Sequence, residues 1–439
     1  MLLSHTHLVR IYTDPSKSIE IRKYFYIKEM DRGARRRKAN FKCIIRQRIN
    51  NAGIWANSST YGIHWAAKAS IFAFLLTNIT QIIALFTTKD PKALLACFSV
   101  LSFCFMGFLK LSSLLIKQKQ WRLLISQASS LENEELYNRD YKCDYESDGE
   151  EDDTSLKYIC SYTKKFSSIS THLSRIYCLT VVVFMASPFI EYGLRLYQGR
   201  EVDGFPHILP GWAPLDFSIL GYIISILAEI MAAVYCVKVH TAFDLTAIGF
   251  MIFIRGQFNL LHKYSERIGG KGKICSISNR RDNRAHFRIT KCHHIHVVLL
   301  KSVNQLGRLI QNILGIYFFL ATLTLCSVAM QLKSEQLSTA QLISLLQYMG
   351  ATVTQLFLFC QYGAALINDS SVCLGEGPFC AAFWCLSSRI RREIALLSVG
   401  MARPCRLLAG PLNKLDLLSF VQIVRTAYSY YAVLRQTSQ

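Results

Sequence analysis

No glycine-rich phosphate loop, no catalytic pair of carboxylates and no nucleophile beside a base occurs in the 439 residues, so no enzyme and no cofactor is expected. Acidic side chains are scarce too. Only 29 Asp and Glu stand against 50 Lys and Arg, for a formal charge of +21. Such basicity could suit nucleic acid, but Lys and Arg are mostly confined to segments between long apolar runs, as membrane topology requires, and no nucleic-acid partner is expected. The 15 Cys lack any paired spacing in an outer loop, which argues against a disulfide framework and for buried thiols. At the basic N-terminus no short apolar core precedes a small-residue cleavage site, so no cleaved signal peptide is expected.

Apolar sequence is what the chain has in abundance. Hydrophobic residues make up 51% of it, and runs long enough to cross a bilayer fall at roughly 69–88, 93–116, 173–194, 217–239, 312–332, 339–367 and 414–434. The expected fold class is all-α, a polytopic membrane protein with seven transmembrane helices. Pro91 marks the turn between the first two spans and Pro188 should kink the third. The amphipathic period of the fourth continues through "TAFDLTAIGFMIFIRGQFNLL", and the fifth is preceded by "KCHHIHVVLLKSVNQLGRLIQNIL". Both helices should therefore project beyond the lipid on one side. That side carries 39 Lys and Arg against 6 on the other, which predicts an inverted topology with a cytosolic N-terminus. The sequons at Asn57, Asn78 and Asn368 then carry no glycan.

Four units follow: a basic N-terminal segment, 1–62; six helices with cytosolic extensions, 63–381; a basic amphipathic helix, 382–412; and the last span with a short outer tail, 413–439. Residues 131–153 hold eleven acidic side chains but lack the spacing of a calcium loop, and read as a solvated loop. "RGARRRK", Arg32 to Lys38, reads as a topology anchor attracted to anionic lipid. Cys292, His293, His294 and His296 look like a metal cluster, but His294 leaves the face shared by His293 and His296, so helix packing is expected and no metal. Glu191 and Glu229, near or within spans, are functional candidates, with the outer interface or a hydrogen bond inside the bundle as the plainer roles.

In the last span Ser419, Gln422, Thr426 and Tyr430 recur at helical spacing, and Val433 continues that face. Leu417, Phe420, Val424, Tyr428 and Tyr431 lie opposite. A polar stripe of this kind either lines water around an axis or hydrogen-bonds neighbouring helices. Arg425 flanks it. In the outer halves of spans two to six, Phe98, Phe184, Met185, Phe189, Tyr192, Tyr222, Phe318, Phe319 and Tyr348 serve either as packing or as the wall of an apolar pocket.

The stretches "FCQYGAALINDSS" and "FWCLSSRIRREIALLSVGMARPCRLLAGPLNKLDLLSFVQIVRTAYSYYAVLRQT" together resemble the end of an insect odorant receptor, with its basic cytosolic helix, "RP…L.AG" link and "F..I…YS…L" ending. "GIW" at Gly53–Trp55, "LPGWAPLD" at Leu209–Asp216, Asp244 with "GQFNLL", and "CHHIHVVLL" resemble further motifs in the right order. The resemblance implies a tuning subunit that binds small volatile ligands and assembles with a shared co-receptor into a tetrameric, nonselective cation channel. It implies a pore lined by Ser419, Gln422, Thr426, Tyr430 and Val433, an intracellular anchor built with Ser387–Gly410, and a place in the plasma membrane of an olfactory neuron dendrite. A lipid-surface role for that amphipathic helix is the simpler reading. A gustatory receptor of the same architecture is the nearest alternative, with a metabotropic seven-helix receptor or a transporter further off.

Overall fold

Apolar runs too long for a soluble core become helices here because lipid leaves backbone amides no partner but each other. The computed structural model describes residues 41–55, 61–137, 149–199, 205–211, 218–270, 277–333, 337–411 and 413–437. Arg32–Lys38, the sequon at Asn57, residues 138–148 of the acidic segment and Trp212–Asp216 lie outside these. A short amphipathic helix α1 (Phe41–Asn51) comes first. Then follow α2 (Tyr61–Thr87), α3 (Pro91–Ile116), α4 (Gln118–Tyr137), α5 (Gly149–Tyr197), α6 (Ile219–Ser265), α7 (Asn279–Leu332) and α8 (Thr339–Asp369). A one-turn helix α9 (Val372–Glu376) and two 3₁₀ turns lead to α10 (Ser388–Met401). A two-stranded antiparallel ladder, β1 (Leu408–Ala409) with β2 (Asn413–Lys414), precedes α11 (Leu417–Thr437).

Among the described residues six helices are long and apolar enough to span a membrane: α2, α3, α5, α6, α7 and α8. The seventh, α11, has the length at 21 residues, but Gln422, Arg425, Thr426 and Ser429 lower its hydropathy. At ~1.5 Å per residue, α6 (47 residues) and α7 (54 residues) run about 70 and 80 Å, more than twice the hydrocarbon thickness of ~30 Å. The expected projections are there. A third projection, unforeseen, belongs to α5, whose 49 residues begin near 149 because the polar stretch before Thr171 is also helical. The same helix continues past Pro188 without ending.

We call "upper" the end where α2–α3, α5–α6 and α7–α8 connect, and "lower" the end of the extensions. The densest packing is at the lower end. Phe41 of α1 stacks on Phe253 with ring centroids 5.0 Å apart, and also meets Phe166 and Phe250. Every residue from Ala242 to Ile254 of α6 is buried, so this segment is surrounded on all sides. Lipid-height faces are the opposite: Phe86, Leu220 and Phe319 are exposed large apolar groups, as a bilayer solvent demands. At the lower end α10 lies on α7 through His286–Glu393 (2.7 Å) and through the Ser387 amide, which donates to Asp282 (3.2 Å).

Candidate functional site

Between the upper halves of α3, α5, α6, α7 and α8 lies a cavity of about 1000 Å³. Its roof is the loop residues His207–Pro210. Glu229, inside α6, holds that loop: its carboxylate accepts from His207 Nδ1 (3.0 Å) and from the amides of Ile208 (2.9 Å) and Leu209 (3.2 Å). Glu229 is expected to hydrogen-bond inside the bundle; it does hydrogen-bond, but to the connecting loop and not to another helix. Glu191 accepts from Arg195 one turn on and from Gln341 of α8 (2.6 Å), bridging two helices at the cavity mouth.

Of the nine aromatic and Met positions expected on the pocket wall, Phe184 and Tyr348 line this cavity. The other seven do not. Phe319 is 64% exposed and points away from the bundle, whereas Phe318 is buried among helices. Phe189 is partly exposed, Met185 packs against the core and Phe98 and Tyr192 are half-buried outside the cavity. Tyr222 stacks near Phe205 and donates to the Pro206 carbonyl (2.8 Å), so it supports the roof from behind. The reason is rotational. A long helix gives every side chain a height, but only one residue in three or four faces a given neighbour.

The floor was not foreseen. Lys110 of α3 and Asp244 of α6 are wholly buried, with Nζ 2.7 Å from Oδ1. Tyr177 of α5 donates to Asp244 Oδ2 (2.6 Å), and Gln355 of α8 donates to the same oxygen (2.8 Å). Lys110 also donates to His240 Nδ1 (2.9 Å), and the other ring nitrogen donates to the Phe103 carbonyl (3.1 Å), which fixes the tautomer. Tyr317 of α7 offers its ring face to Lys110 at 5.5 Å. Five helices thus meet at one ion pair. Gly107, one turn before Lys110, permits the approach: a Cβ there would sit 2.8 Å from Cys236 Sγ and 3.3 Å from His240 Nε2. A signal was available, since a lysine and an aspartate inside apolar runs must find each other or remain desolvated alone.

On α11 the inward face is Ser419, Ile423 and Ala427, all buried. Gln422, Thr426, Tyr430 and Val433 share an exposed face, with Tyr430 50% and Val433 58% open. Ser419 stands apart from them. Its hydroxyl donates to the Lys414 carbonyl (2.7 Å), inside the turn that starts the helix. Thr426 returns its proton to the Gln422 carbonyl (2.8 Å), so its oxygen stays outward as an acceptor. Val424 and Tyr428, expected opposite the stripe, are exposed as well. Among the described residues no group of His, Cys, Asp and Glu gathers as a metal site. His296 and Cys292 are buried while His293 and His294 are exposed.

A family model described as 7tm Odorant receptor matches residues 90–428. Odorant receptor 13a of Drosophila melanogaster is 24% identical over 380 residues, covering 83% of this chain and 82% of its own. Odorant receptor 82a of the same organism is 22% identical, covering 80% and 86%. Among solved structures, the insect olfactory receptor OR5 from Machilis hrabei in complex with eugenol is similar at a TM-score of 0.70 and 14% identity. That likeness extends over 92% of this chain and 98% of the other.

Proposed function

Since the chain belongs to the insect odorant receptor family, as the match over residues 90–428 establishes, we propose that it is a tuning subunit. In this reading it captures small volatile molecules in the cavity under loop 207–210 and gates a nonselective cation channel together with a co-receptor. The observation that carries it is the cavity: about 1000 Å³, bounded by five helices, with Phe103, Val181 and Phe184 on its walls. A volatile molecule offers little hydrogen bonding, so its affinity must come from burial against such a surface. The similar Machilis receptor holds eugenol, a molecule of the size and character this space would take.

Of the four units expected from the sequence, 63–381 would serve this function as ligand-binding helices, 382–412 as lower anchor and 413–439 as pore helix. Gln422, Thr426, Tyr430 and Val433 would face a central axis shared by four subunits, a wettable but uncharged lining that suits weak selectivity. Ser419 would set the start of that helix rather than line the path. Ligand burial would favour an arrangement in which α11 withdraws from the axis. The proposed place is the plasma membrane of an olfactory neuron dendrite, with the N-terminus inside.

Ligand-evoked current, recorded with and without a co-receptor across an odorant panel, tests this directly. Current is expected only with both subunits, and substitution of Thr426 and Gln422 is expected to change ion permeation. Wild-type permeation and gating in that double variant would remove α11 from the pore.

A further inference from the structure

The cavity floor is polar in one direction only. Tyr177 spends its single hydroxyl proton on Asp244 (2.6 Å), and Tyr348 spends its own on the Ser99 carbonyl (3.0 Å). The threonines that line the same space do likewise: Thr180 donates to the Ile176 carbonyl (2.8 Å) and Thr352 to the Tyr348 carbonyl (3.0 Å). A hydroxyl has one proton and two lone pairs, so what these groups can still offer a ligand is acceptance. Tyr177 and Tyr348 both line the cavity and pack on one aromatic pair. Both rings flank the Phe103–His240 stack, Tyr348 edge-on to Phe103 at 6.1 Å and Tyr177 edge-on to His240 at 6.4 Å. Along the wall Pro188 has no N–H, so the carbonyl of Phe184, four residues earlier, lacks its usual helical donor.

The supply of donors at this depth is small. Gln355 gives one amide proton to Asp244 and retains a second. A ligand oxygen able to give one proton and accept one therefore matches the floor, while an ether or ketone oxygen can only accept. An ammonium would have to shed its hydration beside the buried Lys110 cation, at a cost the cavity does not repay.

We infer that the floor formed by Tyr177, Tyr348 and Gln355 is a hydroxyl-recognising subsite, and that the favoured ligands are small, largely apolar alcohols or phenols. Tyr177 is held with its proton turned away by Asp244, which Lys110 in turn holds, so the buried ion pair sets the subsite's polarity. This rests on the cavity being the ligand site, as proposed above. Its test therefore reads binding to the full chain alone in nanodiscs, without co-receptor or current.

The probes are 2-phenylethanol, its methyl ether and ethylbenzene, followed by thermal stabilisation against concentration. One net hydrogen bond predicts half-maximal stabilisation by the alcohol at a concentration about threefold to tenfold below the ether's. Tyr348→Phe is expected to reduce that advantage by a similar factor while keeping the ring against Phe103. Equal apparent affinity of alcohol and ether, or no binding by either, overturns the subsite, as does an undiminished advantage in a folded Tyr348→Phe. Should that variant not fold, the wild-type comparison decides alone. Preferential alcohol binding by a chain that gates no current would instead defeat the channel reading and leave the subsite standing.

Discussion

Lys110 and Asp244 can keep their charges without water because each lies 2.7 Å from the other, with His240 beside the lysine and Tyr177 and Gln355 donating to the aspartate. Removing one partner strands the other. Lys110→Met alone is expected to destabilise the purified protein by about 3–5 kcal/mol, and Lys110→Met with Asp244→Leu by clearly less, as thermal unfolding in detergent would show. Equal losses would mean that the pair is not the unit. A second buried acid lies outside the spanning helices: Glu132 of α4 accepts from the Tyr162 hydroxyl (2.5 Å), and burial pushes its carboxyl up from 4.5 to about 7 despite that donor. Between those values the folded chain holds a proton that the unfolded chain has lost, so stability falls as pH rises through that window. The loss is on the order of 3 kcal/mol between pH 4.5 and 7 relative to Glu132→Gln, measured as the difference between their unfolding curves. A flat difference would mean that Glu132 is solvated.

Helices meet where glycine lets them. Gly315 of α7 faces the turn before α11 so closely that a Cβ would lie 2.6 Å from the Gly410 Cα, backbone against backbone. Two hydrogen bonds seal the contact, the Gly410 amide to the Gln311 carbonyl (2.8 Å) and the Gln311 side chain to the Gly410 carbonyl (2.9 Å). Gly410 itself has φ +72°, a conformation that side chains resist. Gly315→Ala is expected to cost about 1–3 kcal/mol. Gly307→Ala, two turns earlier and 3.8 Å from Leu407, should be neutral or mildly stabilising by thermal unfolding. Similar behaviour of the two would show that the link is pliable.

At this scale much could be read from the chain in advance. Six of the seven apolar runs become spanning helices as expected, and these and the projections of α6 and α7 follow from hydropathy and amphipathic period. The lower part of α5 escaped notice because its apolar residues are few: Ile159, Tyr162 and Phe166 bury one face within an otherwise polar run. Pocket residues escaped for a different reason. Which aromatics face a cavity depends on how each helix is rotated against its neighbours: of the nine expected, Phe184 and Tyr348 are turned inward, and Phe103 and Tyr177, not expected there, line it too. Lys110 and Asp244, 134 positions apart, give no sign in sequence that they touch beyond the cost each would bear alone.

For the molecule as a whole, the uneven distribution of Lys and Arg sets the expected orientation. An epitope tag at the N-terminus should be stained only after permeabilisation and one at the C-terminus on intact cells. The reverse pattern would invert every inside and outside assigned above. The last consequence comes from the floor of the cavity. Lys110, Asp244, His240 and Phe103 close its lower side, and beneath them α6 is packed on all sides from Ala242 to Ile254. Among the described residues, every one that lines the cavity lies above Lys110 and Asp244. A molecule that reaches Tyr177 is in a blind alley and must retreat upward, past the wall of Phe184 and the roof held by Glu229. How long a stimulus outlasts its source is then governed by how readily that roof lifts and the upper helices part, and not by how well the floor is matched to its guest alone.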